Sequence, residues 1–225
     1  MSSHNTSTNA IAAVLFDLDG TLLDTADDLG AALNHVLVQY GKPTIAAMDY
    51  RPIASDGALG LLNLGFGDDI KRYDYEHLRQ QFLNYYENNI AIHTCLYPGV
   101  AQLLQQLESD NIPWGIITNK PEGLTKALLP HYPEFANCAV MVGGDTLEKR
   151  KPDPEPILYA CEQISVDHKQ CVYVGDALRD IQAGNSALMK TFVASWGYIL
   201  ADENCQAWQA DHMINAPIDL LAFIK

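Results

Sequence analysis

An apolar segment near the start of the chain ends in closely spaced carboxylates, in the stretch Val14-Leu15-Phe16-Asp17-Leu18-Asp19-Gly20-Thr21-Leu22-Leu23-Asp24-Thr25. The run from residue 11 to residue 16 is typical of a strand that is buried on both faces of a parallel sheet. Residues two positions apart point the same way along an extended chain, so we expect Asp17 and Asp19 on one side of the strand's C-terminal end. Two carboxylates held that close repel each other unless a cation lies between them or one is protonated.

Such a pair suits a reaction in which one carboxylate attacks an electrophile while the other manages the proton of the leaving group. The plainer interpretation is an Asp-Gly turn after a core strand, in which Asp19 only accepts hydrogen bonds from the turn. Polar segments further along the chain bear on this choice.

The composition limits the classes of partner. The chain has 225 residues, enough for one sizeable α/β domain or for a core with a smaller insertion, and its formal net charge is -14. A field of that sign opposes nucleic acid and anionic membranes, so we expect neither as a partner. It also repels phosphorylated metabolites, unless cations at the site reverse the local sign.

Cysteine usage and the termini favour a cytoplasmic protein. The cysteines form no C-x-x-C motif, which is typical of reduced thiols in the cytosol. Residues 1–9 are polar and contain no Lys or Arg, so we expect a disordered tail there and no signal peptide. No apolar run approaches the length of a membrane span.

Residues 25–96 are predicted to be an all-helical insertion. Leu29, Leu33 and Val36 follow helical spacing, further helical segments begin at Gly57 and Tyr75, and no convincing strand lies between residue 25 and about residue 96. Three or more helices exceed what one crossover between parallel strands needs, which favours a lid-like cap over helices that simply cover the sheet. We therefore divide the chain into a tail (1–9), a core (10–24 and 97–225) and a cap (25–96).

Strands and helices alternate through the rest of the core. We predict strands at residues 11–16, 114–118, 139–143, 171–175 and 191–194, and helices at residues 100–107, 124–129, 156–164 and 177–183, with Gly184 ending the last one. Strict alternation implies parallel pairing with right-handed crossovers, hence an α/β fold with a Rossmann-like parallel sheet.

Polar side chains follow several of these strands, at the edge where ligands bind in open α/β sheets. Thr118 and Asn119 end one strand, and a threonine hydroxyl with the following backbone amides can hold phosphate oxygens. The alternative is an ordinary helix N-cap. Lys151 belongs to a basic segment, residues 149–151, that contains three of the fourteen Lys and Arg residues. It could stabilise charge on a transferring phosphate, or the segment could be a solvated turn before a helix.

Asp176 ends another predicted strand, and Asp180 follows four residues later on one helix face. Both can point at a shared hard cation, and ligands that are all oxygen favour Mg²⁺ over Zn²⁺. The alternative is that Asp176 caps the helix and Asp180 is a surface charge beside Arg179.

Together, and in the same order, these segments resemble the four motifs of the haloacid dehalogenase-like (HAD) phosphatases, and the helical block resembles that family's cap. The resemblance implies that Asp17 becomes an aspartyl-phosphate and that Asp19 is the general acid and base. It implies phosphate binding at Thr118 and Lys151, and a magnesium site that includes Asp17, Asp19 and Asp176, with Asp180 in support.

Within that family the chain is similar to the phosphoglycolate phosphatase group, including relatives that dephosphorylate N-acetylmuramic acid 6-phosphate. The similarity lies in the segments D-L-D-G-T-L-L-D-T, I-I-T-N-K-P, G-G-D-T-L-E-K-R-K-P-D-P-E-P and V-G-D-A-L-R-D-I-Q-A-G. It implies hydrolysis of a small phosphomonoester with Mg²⁺ as cofactor. A dehalogenase would not need Asp19 or the metal carboxylates, whereas a phosphomutase and a phospho-Asp signalling module remain alternatives.

Arg51 is a candidate for substrate recognition, because it precedes a helix in an insertion that is otherwise poor in cations. Phosphoglycolate and N-acetylmuramic acid 6-phosphate both carry a carboxylate, which an arginine near a helix N-terminus suits. The alternative is a surface ion pair with an acid such as Asp49.

Overall fold

The computed structural model describes residues 11–224, so the predicted tail at residues 1–9 lies outside it. The described part of the chain contains strands β1 (Ala13–Phe16), β2 (Leu23–Asp24), β3 (Cys95–Leu96), β4 (Trp114–Ile117), β5 (Val140–Val142), β6 (Cys171–Gly175), β7 (Lys190–Ala194) and β8 (His212–Ile214). Its α-helices are α1 (Ala26–Gln39), α2 (Ala47–Tyr50), α3 (Gly57–Phe66), α4 (Tyr75–Asn88), α5 (Val100–Ser109), α6 (Glu122–Leu128), α7 (Glu155–Gln163) and α8 (Leu178–Ser186).

Six parallel strands form the central sheet, in the order β5-β4-β1-β6-β7-β8. β1 lies in the middle, where Val14 pairs with Trp114 of β4 and with Val172 of β6. All four residues of β1 are buried, as a strand covered on both faces requires. The α/β prediction is therefore confirmed, and the carboxyl ends of β1, β4 and β6 meet at one edge.

Helices α1 to α4 lie between β2 and β3 and share a hydrophobic cluster that includes Leu33, Leu62 and Phe82. Leu124 and Tyr198, outside these helices, also belong to it. β2 and β3 pair antiparallel, with Asp24 opposite Cys95. The prediction that residues 25–96 contain no strand was wrong only at β3, because a two-residue strand is too short to leave a periodic pattern. We propose that these helices form the cap and that the β2–β3 pair joins it to the core.

The last strand of the sheet and the end of α8 were not predicted. β8 has only three residues, and two of them are exposed, so it shows neither a buried apolar run nor a clear alternation. Gly184 lies inside α8 instead of ending it. A Cβ atom at Gly184 would come within 2.4 Å of Thr191 Cγ2, so this glycine allows the helix to pack closely on the sheet. Within residues 11–224, none of the helices combines the length and the apolar character needed to cross a bilayer.

Candidate active site

A buried lysine connects two carboxylates at the carboxyl edge of the sheet. Lys151 Nζ lies 2.8 Å from Asp17 Oδ1 and 2.7 Å from Asp180 Oδ1. It also donates hydrogen bonds to the Ile117 carbonyl oxygen and to Tyr173 Oη, at 2.7 and 2.9 Å. The side chains of this ion pair are at most 6% exposed, so their positions are fixed by the protein and not by solvent.

Asp17, Asp176 and Asp180 form a group that could hold a metal ion. Each offers a carboxylate oxygen, and these oxygens lie within 4.8 Å of one another. Burial raises the pKa of Asp17 to about 6, against the opposing effect of Lys151. Burial, with repulsion from Asp17 and Asp180, raises the pKa of Asp176 to about 7. Crowded, buried oxygen donors of this kind fit Mg²⁺, which would offset the repulsion.

The neighbours of Asp176 explain the turn after β1. Asp176 accepts hydrogen bonds from Thr21 Oγ1, Ser55 Oγ and the Tyr198 backbone amide, at 3.1, 3.0 and 2.8 Å. Gly20 has a φ of +90°, and a Cβ atom there would lie 2.2 Å from Asp176 Oδ2. Only glycine allows this turn to approach the carboxylate so closely.

Asp19 lies apart from this metal group. Its Oδ1 accepts a hydrogen bond from Thr25 Oγ1 at 2.6 Å and pairs with Lys120 Nζ at 2.9 Å. Lys120 Nζ also lies 4.5 Å from the centroid of the Tyr86 ring. Burial alone would lower the pKa of Lys120, but Asp19 and Tyr86 raise it above its usual value. Lys120 was missed in the sequence, although its position directly after Thr118 and Asn119 was a usable signal.

Thr118 and Asn119 both line the same cavity as Asp17 and Asp19. Thr118 Oγ1 accepts a hydrogen bond from the Lys120 amide at 3.1 Å, which leaves its own proton available. This contact lies in the turn before α6 and is not a helix N-cap, because the N-cap position of α6 is Pro121. Asn119 Nδ2 donates to the Lys151 carbonyl oxygen at 2.9 Å, so it supports the loop that carries the lysine.

The structure does not bring Arg51 to this cavity. Its guanidinium pairs with Asp24 and with Asp27, where Nη1 lies 2.9 Å from Asp27 Oδ1. Asp49 is not its partner. The two carboxylates hold the side chain beside the β2–β3 pair, because α1 and the segment after α2 pack together there.

The cavity has a volume of about 770 Å³ and lies between the cap and the core. The core contributes the catalytic candidates, and the cap contributes an apolar wall that includes Leu29, Leu59 and Phe82. Arg179 of α8 pairs with Asp56 of the cap at 3.0 Å and donates to the Ser55 carbonyl oxygen. The basic residues at the cavity are Arg79, Lys120, Arg150, Lys151 and Arg179. Sequence reasoning identified only Lys151 among these five.

Comparisons with known proteins agree on one family. The model of the haloacid dehalogenase-like hydrolases matches residues 14–194. A phosphoglycolate phosphatase from Xanthomonas campestris is 44% identical over 92% of this chain and 94% of its own length. An N-acetylmuramic acid 6-phosphate phosphatase from Pseudomonas putida is 36% identical over 93% and 94% of the two chains. The crystal structure of a predicted phosphoglycolate phosphatase from Haemophilus somnus, 26% identical, covers 97% of this chain and 100% of its own with a TM-score of 0.87.

Proposed function

Because the chain belongs to the haloacid dehalogenase-like hydrolase family and is a phosphatase, we propose that it hydrolyses a small phosphorylated metabolite through an aspartyl-phosphate on Asp17, with Mg²⁺ as cofactor. The observation that carries this proposal is that Asp17 and Asp19, two residues apart in the sequence, have different partners in the structure. Asp17 lies against Lys151 in the metal group, whereas Asp19 is held outside it by Thr25 and Lys120.

In the first half of the reaction, a carboxylate oxygen of Asp17 attacks phosphorus and the bond to the leaving oxygen breaks. Asp19 gives its proton to that leaving alkoxide. In the second half, Asp19 takes a proton from water, the water oxygen attacks phosphorus, and the Asp17 carboxylate is released. At the end of the cycle Asp17 is again a free carboxylate and Asp19 again carries a proton.

The charge of the transferring phosphoryl group has to be offset, since phosphoryl transfer depends mainly on positioning and electrostatics. Lys151 is placed for this next to Asp17, and the Thr118 hydroxyl can donate to a phosphate oxygen. Asp17 and Asp176 would hold Mg²⁺, which supplies positive charge at the phosphate oxygens when it is bound. Asp180 keeps Lys151 in place, because one of its oxygens pairs with the lysine and the other accepts the Ala177 amide.

The substrates that we propose first are phosphoglycolate and N-acetylmuramic acid 6-phosphate, after the names of the relatives. Relatives named as phosphatases favour hydrolysis over the dehalogenase, phosphomutase and phospho-Asp signalling alternatives. The cap would close over the substrate and exclude bulk water from the acyl phosphate.

The test is a screen of phosphorylated metabolites with the parent enzyme and with Asp17→Asn, in the presence of Mg²⁺ and after chelation. We expect turnover that requires Mg²⁺ and falls by at least about a thousandfold in Asp17→Asn, because an amide is a poor nucleophile. Asp68→Asn removes an exposed carboxylate and is the matched control. Hydrolysis by Asp17→Asn within tenfold of the parent rate, or full activity after chelation, would contradict the proposal.

A further inference from the structure

The cavity concentrates positive charge in a chain of formal net charge -14. Five of the fourteen Lys and Arg residues line it. Three of the five are each neutralised by a carboxylate at 3.0 Å or less, in the pairs Lys151–Asp17, Lys120–Asp19 and Arg179–Asp56. The remaining two, Arg79 and Arg150, face one further carboxylate of the lining, Glu76, so they give the lining its net positive charge of one.

Arg150 has no carboxylate within ion-pair distance among residues 11–224, and it precedes Lys151 directly in the core. Arg79, on α4 of the cap, has only a loose partner, Glu76, at 3.6 Å, and both side chains are more than a third exposed. Both guanidinium groups act on Tyr75: burial raises the pKa of its hydroxyl, and the charges of Arg79 and Arg150 oppose that rise. Cap and core thus each contribute one weakly paired arginine to the lining of the cavity, which also includes Tyr75.

Helix α4 runs along the cavity from its aspartate end. Tyr86, near the end of the helix, lies beside Lys120, which pairs with Asp19. Arg79 stands seven residues earlier on the same helix, a rise of about 10 Å at 1.5 Å per residue. Arg79 and Tyr86 both line the cavity, so its lining extends along α4 by about two helical turns from the contact with Lys120.

From these observations we infer that Arg79 and Arg150 form a second anion-binding subsite, which takes the carboxylate of a phosphomonoester the size of a sugar. This inference rests on the proposed phosphatase function. Phosphoglycolate has its carboxylate one methylene group away from the ester oxygen, so it would leave most of a cavity of about 770 Å³ unfilled. A hexose 6-phosphate that carries an ether-linked carboxylate is longer and bulkier, and this cavity has the volume for it. N-acetylmuramic acid 6-phosphate has this chemistry.

The test compares two substrates that differ only in the carboxylate-bearing group, N-acetylmuramic acid 6-phosphate and N-acetylglucosamine 6-phosphate. We expect Arg150→Gln and Arg79→Gln each to lower kcat/KM for the first substrate by roughly ten- to a hundredfold, the range of one charged hydrogen bond. The value for N-acetylglucosamine 6-phosphate and for p-nitrophenyl phosphate should stay within about twofold. Arg150→Lys should restore part of the loss, since it keeps the charge but not the planar guanidinium.

The matched controls are Lys149→Gln and Arg72→Gln, which remove one positive charge from the same loop and from the cap, outside the cavity lining. They should leave both sugar phosphates unaffected. Equal losses on the two sugar phosphates, or no loss on either, would overturn the subsite. Hydrolysis of p-nitrophenyl phosphate without hydrolysis of N-acetylmuramic acid 6-phosphate would overturn it while leaving the proposed function intact. Failure to hydrolyse any phosphomonoester would overturn the proposed function and, with it, the subsite.

Discussion

The ion pairs of Lys151 in the core are buried, whereas the ion pair between the core and the cap is partly exposed. The two kinds of pair therefore contribute differently to the stability of the site. Lys151 and its partners Asp17 and Asp180 are almost fully buried. In the pair between Arg179 and Asp56 of the cap, the side chains are 21% and 57% exposed. A buried charge cannot lose its partner without a large desolvation cost, whereas an exposed pair is screened and contributes little. The core therefore fixes Lys151, Asp17 and Asp180 without the cap. Asp176 and Lys120 also contact the cap, through Ser55 and Tyr86.

The strongest test of this comparison is Lys151→Met. The substitution leaves two buried carboxylates without their cation, so we expect the free energy of unfolding to fall by on the order of 3 to 5 kcal/mol. Activity should fall by at least about a thousandfold, because the charge beside Asp17, the proposed nucleophile, is lost. Urea unfolding and steady-state kinetics measure the two effects. Lys149→Met, an exposed lysine two residues earlier, is the control and should change neither quantity. A Lys151→Met protein as stable as the parent would contradict the assigned role of burial.

Lys120 combines features of the two kinds of ion pair, since it is buried like Lys151 but contacts both the core and the cap. Its ammonium pairs with Asp19 of the core and lies over the ring of Tyr86 in the cap. Lys120→Met should lower kcat by roughly ten- to a hundredfold, because Asp19 loses one of the two donors that orient it, while KM changes little. Lys126→Met removes an exposed lysine of α6 and serves as the control. If KM rises while kcat is kept, Lys120 binds substrate instead of orienting Asp19.

The same division explains what could be predicted from the sequence. Asp17, Thr118 and Asp176 follow buried strands of a parallel sheet, and the carboxyl ends of such strands meet at one edge whatever the details of packing. Residues of the cap have no comparable rule, because their position depends on how the helices pack against each other and on the core. Arg79 and Arg150 are far apart in the sequence and neither ends a strand, so no local pattern connects them. Lys120 is intermediate: its place after a strand end was visible, but its pairing with Asp19 was not.

Arg51 gives the smallest expected effect, and it tests the exposed side of the comparison. Its side chain is 35% exposed, and its partners Asp24 and Asp27 lie beside the β2–β3 pair, away from the cavity lining. Arg51→Ala should therefore change the free energy of unfolding by no more than about 1 kcal/mol, the usual limit for a screened pair. We expect kcat/KM for both sugar phosphates to stay within about threefold of the parent, because the chemistry at Asp17 does not depend on this contact. Asp49→Ala, two residues earlier in the sequence but not a partner of Arg51, is the control. A loss of tenfold or more that is confined to the carboxylate-bearing substrate would show that Arg51 recognises the substrate carboxylate, as the sequence predicted. It would also mean that the cap closes on the substrate in a different arrangement from the one described.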